Sequence, residues 1–145
     1  MIRLGPNAAF AYAIDPTARL AYARMAGTLT GEQMLEVART VHEDPAWHPD
    51  TDVIWDCTAV AAHVVSPGEV APIVREVVED GTGRDVLVER LSLSESFFSM
   101  LIALRVRAAG GEAHTCRTVA EALAWLGRDQ LSAPLRAVRS EAEAE

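Results

Sequence analysis

Ser66 heads the stretch Ser66-Pro67-Gly68-Glu69, which reads as a helix start. Ser66 suits the N-cap, Pro67 the first helical position, and Glu69 the return arm of a capping box. A helix N-terminus carries partial positive charge and N–H groups without partners, so a phosphate on Ser66 or a bound anion would be accommodated there. The same residues are equally complete as a plain cap. Asp56 ends the apolar run Val53-Ile54-Trp55, the position at which open α/β sheets place their ligands. With Thr58 and His63 it reads either as the rim of a ligand or partner site, or as a carboxylate that bonds the N–H groups of a loop spanning Cys57 to Val65. Cys57 with a histidine would make a nucleophile and its base. However, His42, His48, His63 and His114 stand at no metal-ligand or catalytic spacing. Cys57 and Cys116 both sit in apolar runs, where a cysteine behaves as a small buried hydrophobe. There is no G-x-S-x-G elbow, H-E-x-x-H, C-x-x-C or G-x-G-x-x-G after a strand. No set of residues adds up to an acid, a base and an oxyanion site. The expectation is a protein that is not an enzyme, with no catalytic residue, no metal and no cofactor.

Composition narrows the partner. The chain has 145 residues, one ordinary domain, with 50% hydrophobic and 23% charged residues. Its net charge is −8, from 13 basic and 21 acidic residues. That excludes nucleic acid as the main partner, because phosphate contacts need a basic stripe, and argues equally against an anionic membrane surface. Every basic residue is Arg and none is Lys, which removes Schiff-base chemistry and the P-loop. The longest near-apolar run, Phe97 to Leu104, is far short of the ~20 residues that cross a bilayer. A cytoplasmic protein without membrane insertion is expected.

The elements that must position these residues follow from periodicity. Phe10, Tyr12 and Ile14 alternate with Ala9, Ala11 and Ala13 in a strand; Asp15-Pro16-Thr17-Ala18 turns; Arg19 to Gly27 returns as the partner of a hairpin. Thr30 with Gln33 marks a capped helix bearing Met34, Val37, Ala38 and Val41, closed by Pro45. Val53-Ile54-Trp55 is a short buried strand. The Ser66 helix carries Val70, Ile73, Val74 and Val77 and ends at Asp80-Gly81-Thr82-Gly83. Val86 to Val88 is a strand. A helix capped by Ser92 or Ser94 runs to about Ala109, Ala113 to Cys116 is a fifth strand, and Thr118 with Glu121 caps a last helix ended by Gly127. The order ββαβαβαβα predicts an α/β domain over residues 1–127, with a mixed sheet of about five strands and four helices mainly on one face. Residues 128–145 read as an extension: Leu131, Leu135 and Val138 suit one short amphipathic helix, followed by an acidic tail from Ser140 to Glu145.

One helix is apolar more than halfway round. Phe97, Leu101, Leu104 and Ala108 form a stripe expected to face the sheet, which leaves Phe98, Met100 and Ile102 over. These three are expected to be covered by a neighbouring helix, to line an apolar pocket, or to form a dimer face.

The element order resembles the STAS domain of SpoIIAA-type anti-sigma-factor antagonists, and more closely the divergent bacterial SpoIIAA-like group, similar in shape to CRAL-TRIO lipid-transfer domains. The residues that carry the resemblance are Ala26-Gly27-Thr28-Leu29-Thr30, Ile54-Trp55-Asp56 and Glu121-Ala122-Leu123-Ala124-Trp125-Leu126, across roughly residues 8 to 127. In SpoIIAA-type proteins a phosphorylated Ser lies in an Asp-Ser-Ser-Gly stretch at the next helix start. The same interval from Asp56 lands on Ser66, with Val64, Val65 and Pro67 replacing the flanking Asp, Ser and Gly. The resemblance implies a regulatory module that binds a protein partner, through the segment after Asp56, the Ser66 helix and the Phe97 helix. The alternative is a carrier or sensor of an apolar small molecule or lipid. A homodimer through the apolar helix surfaces is expected.

Overall fold

The computed structural model describes residues 1–81, 83–90 and 97–144. Thr82, the Ser92 and Ser94 caps, the Phe97 side chain and the end of the acidic tail, residues 142–145, lie outside the described residues or side chains. The expected hairpin is present. β2 (Ala8–Asp15) pairs antiparallel with β3 (Leu20–Thr30), in register from Ala8 opposite Gly27 to Asp15 opposite Leu20. Asp15 shapes the turn by accepting from the N–H groups of Thr17 and Ala18, both at 3.0 Å. β1 (Ile2–Gly5), which the sequence reading did not anticipate, adds an antiparallel edge beside β2.

From β3 onward every crossover carries a helix. β3 leads through α1 (Gly31–His42) to β4 (Asp52–Val64), through α2 (Pro67–Glu79) to β5 (Arg84–Val88), and through α3 (Phe97–Ala108) to β6 (Glu112–Cys116). The sheet order is β1-β2-β3-β4-β5-β6, and the last three pairings are parallel. Parallel crossovers take one hand, so a sheet that always grows in the same direction puts all of its crossover helices on the same face. That is where α1, α2 and α3 lie, over a core of Phe10, Met25, Val37, Val53, Trp55 and Leu87 among others. The opposite face would stand bare. It is covered by α4 (Val119–Trp125), α5 (Ala133–Ala144) and the segment that joins them, which together bury Leu123, Leu126, Leu131 and Leu135 against Leu20, Tyr22, Ile54 and Val86. The described residues thus form six strands and five helices, three on one face and two on the other. No helix among them is long and apolar enough to cross a membrane.

Two further details differ from the expectation. The residues expected to form a loop after Asp56 remain in β4 as far as Val64 and stay paired with β3, Thr30 lying opposite Val64. Two register shifts along β3, at Arg24/Ala26 and Gly27/Thr28, accommodate this length. The buried side of α3 is Phe98, Ile102, Ala103 and Val106. Leu104, expected to face the sheet, is 56% exposed, and Ala108 is also exposed. A helix apolar on most sides has no dominant periodicity to choose its inner face.

Candidate functional site

The site arises from a mismatch in strand length. β4 has 13 residues and β5 only five. Their pairing ends at Asp56 opposite Val88, and beyond that point β4 runs on beside β3 alone. The strand order never reverses, so the sheet has no switch-point crevice of the usual kind. The opening lies instead where β5 stops and β4 continues. Side chains alternate across a strand, so the two residues at this point serve opposite faces: Asp56 looks toward α4 and α5, and Cys57 toward the three crossover helices.

On the Asp56 side the carboxylate is 1% exposed and fully engaged. It accepts a short hydrogen bond from the Tyr22 hydroxyl, bonds from the Thr58 N–H at 2.9 Å and the Thr58 hydroxyl at 2.7 Å, and faces Arg24 at 3.9 Å. Burial, then the Asp56 bond and charge, push the Tyr22 phenol well above its ordinary range. The expected rim is therefore divided. Asp56 and Thr58 form a closed network on one face, a structural arrangement that satisfies a buried carboxylate, whereas His63 lies on the other.

His63 meets Cys57 and Glu89 there. One ligand-type atom from each, the Cys57 Sγ, a His63 ring nitrogen and a Glu89 carboxylate oxygen, lie within 4.8 Å of one another. His63 Nε2 stands 3.4 Å from Glu89 Oε1. The three side chains are 0%, 2% and 4% exposed respectively. Glu89 follows β5 directly, and its N–H donates to the Cys116 carbonyl at 2.9 Å, which fixes it beside β6. Phe98 roofs the cluster, its ring centre 4.9 Å from that of His63. Burial pushes the Cys57 thiol up, and the charges of Glu89 and Asp56 and a hydrogen bond to Glu89 push it further. A thiol so held is a poor nucleophile, so the proximity of Cys57 and His63 does not by itself create a reactive pair. The sequence spacing concealed this cluster. Cys57 and His63 are on one strand, and Glu89 lies 26 residues beyond His63. The signal available in retrospect is an ionisable residue immediately after an otherwise apolar buried strand.

Beside the cluster lies an apolar cavity of about 40 Å³, lined by Cys57, Phe98 and Ile102 together with residues of β3, α1 and α2. Lipid and drug-sized pockets run to several hundred Å³; this one has room for water-sized occupants. Phe98 and Ile102 therefore point inward, while Met100, on another side of α3, is 41% exposed. The three do not share one face. Asp85 also borders the cavity. Its Oδ1 accepts from Trp55 Nε1 at 2.9 Å, and burial raises its carboxyl to about 7 against that bond.

Ser66 is exposed and caps α2 as expected. Glu69 accepts from the Ser66 N–H at 2.9 Å and from its hydroxyl at 3.0 Å, and these bonds hold the Glu69 carboxyl below its ordinary range. The anion that this helix start favours is thus already supplied by Glu69. Between α2 and α3, on their outer side, runs a groove of about 560 Å³ that begins at Pro67.

No family model matches the chain, and no curated relative does. Solved structures do. The chain is similar to the unphosphorylated form of the anti-sigma factor antagonist SpoIIAA, at 20% identity and a TM-score of 0.48, over 81% of this chain and 97% of that one. It is also similar to an uncharacterized protein of the DUF3478 family from Shewanella loihica PV-4 with a SpoIIAA-like fold, at 15% identity and a TM-score of 0.52, over 86% of this chain and 98% of that one. The mixed sheet and its crossover helices are accordingly those of a SpoIIAA-like, STAS-type α/β fold.

Proposed function

We propose that the chain is a non-enzymatic regulatory module that binds an amphipathic helical segment of a partner protein in the groove between α2 and α3. The observation that carries this reading is the groove itself. Val70, Val74, Val78 and Leu101 give it an apolar bed, and exposed Arg75 and Arg105 stand on its rim. A helix of 13 residues is ~20 Å long, which suits a segment that reads as i, i+4, i+7 anchors. The rim offers two arginines and one acidic residue, Glu79, in a chain whose net charge is −8. This local reversal of sign favours a partner with acidic side chains beside its apolar stripe. Ser66 lies next to Pro67 at the groove's end, so a phosphate there would set two negative charges against such a partner and weaken its binding.

The test is site-specific photo-crosslinking in cells, with the crosslinker at Leu104 beside the groove and, as control, at exposed Ala120 on α4. The reading expects one discrete heterologous product from Leu104 and none from Ala120. Leu101→Asp and Ser66→Asp should weaken it, and Ser66→Ala should not. A product of twice the chain mass would replace the reading with self-association. Equal products at both positions, or a product indifferent to Leu101→Asp, would overturn it.

A further inference from the structure

We propose that Cys57, His63 and Glu89 bind a divalent transition-metal ion of the zinc type. Zinc–ligand bonds of 2.0–2.3 Å in a tetrahedron set the ligand atoms roughly 3.3–3.8 Å apart. The three atoms here fall within 4.8 Å of one another, with the His63–Glu89 pair at 3.4 Å, so small side-chain adjustments bring them to those spacings. A thiolate, an imidazole and a carboxylate form a set that suits zinc and its neighbours in the first transition row, and not magnesium or calcium, which take oxygen ligands. The charges balance: a dication neutralises one thiolate and one carboxylate.

A second observation is independent of this convergence. Glu89 Oε2 and His63 Nδ1 are buried and have no hydrogen-bond partner among the described residues. Buried polar atoms are almost always paired; the Glu89 carboxylate meets His63 and the Cys57 thiol, but burying its second oxygen unpaired is costly. A metal ion would engage the carboxylate. Cys57 would bind as the thiolate, because a coordinated thiol gives up its proton. The other group of similar composition, His42, Glu76 and Asp80, carries its own compensation: Arg39 lies 3.3 Å from Glu76, and Asp80 is exposed. Three protein ligands leave one position for water or for a donor from a partner. The site does not rest on the groove described above.

The experiment uses the full chain, unfolded with chelator to strip metal, refolded, and titrated with Co²⁺ and then Zn²⁺. One Co²⁺ per chain is expected, with the intense visible bands of tetrahedral cobalt and a sulfur-to-cobalt charge-transfer band that Zn²⁺ abolishes. Cys57→Ser should remove the charge-transfer band, and His63→Gln and Glu89→Gln should each weaken binding at least tenfold. Loss of an outer partner alone commonly costs that much. Cys116→Ser and His42→Gln should change neither the spectrum nor the affinity. Absence of cobalt bands at saturating metal would overturn the proposal, as would a sulfur band that survives Cys57→Ser or binding that depends on His42. Should Cys57→Ser not refold, the two conservative variants at His63 and Glu89 decide the matter alone.

Discussion

Asp85 is an acid placed where its charge is disfavoured, and replacing it with a neutral residue should favour the folded state increasingly as pH rises. The side chain is buried between β5 and the crossover helices, and burial raises its carboxyl from 3.8 to about 7. The native state therefore holds this proton more tightly than the unfolded chain. Stability from this group is complete below about pH 4, declines as pH rises toward 7, and is level above that. The difference of roughly 3 pH units, at 1.36 kcal/mol each, puts an upper bound of about 4 kcal/mol on the loss. Asp85→Asn keeps an oxygen to accept from Trp55 Nε1 and cannot ionise. Its own NH₂ adds a cost that does not vary with pH. The gap between variant and wild type should thus move in favour of asparagine by about 2–4 kcal/mol between pH 4 and pH 8. Urea denaturation of both proteins at each pH, followed by tryptophan fluorescence and far-UV circular dichroism, measures it. A gap that stays constant across this range would refute the reasoning, because it would mean that Asp85 is ionised throughout in the folded state.

Three further outcomes test the packing. Phe98→Ala should cost about 3–5 kcal/mol, and Leu104→Ala about 0.5 kcal/mol or less, because only the former is buried; denaturation midpoints separate the two. Tyr22→Phe should cost about 1.5–3 kcal/mol by removing a donor from the buried Asp56 carboxylate, measured as a change in unfolding free energy at unchanged denaturant slope. Gly27→Ala should cost at least about 2 kcal/mol in the same assay. Gly27 has φ +88°, and a side-chain carbon there would lie 1.9 Å from the Asn7 carbonyl oxygen.

Local chemistry was legible wherever it was self-contained. The Thr30–Gln33 box forms with bonds of 2.9 and 3.2 Å, the Thr118 hydroxyl accepts from the Glu121 N–H at 3.1 Å, and Gly127 adopts positive φ at the helix end assigned to it. Each of these depends on residues within a turn of one another, which is the range over which sequence spacing is also spatial distance. Leu131 and Leu135 were readable as a docking stripe for a similar reason, and both are buried. The second half of β4 was not. Thr58-Ala59-Val60-Ala61-Ala62 has no large alternating hydrophobes, and what holds it as a strand is backbone pairing to Ala26–Thr30, a long-range partner. The inner face of α3 was hidden for the opposite reason, an excess of apolar side chains on most of its sides.

The same long strand explains why Cys57 and His63 could be singled out in the sequence while their meeting with Glu89 could not. A strand of three residues would leave Cys57 and His63 in one loop, at no fixed distance from each other. Extending β4 to Val64 fixes both residues on one rigid element, and the early end of β5 brings Glu89 up beside them. The convergence is thus a property of unequal strand lengths in a parallel pair, which no motif scan registers. It also separates the two halves of the molecule's chemistry. Asp56 has its needs met within the fold and explains stability. Across the sheet, Cys57 and His63 of β4 meet Glu89 at the end of β5, and there His63 Nδ1 and Glu89 Oε2 are left unmet among the described residues. Unmet demand of that kind in a packed interior is the sign by which a ligand site differs from a structural network.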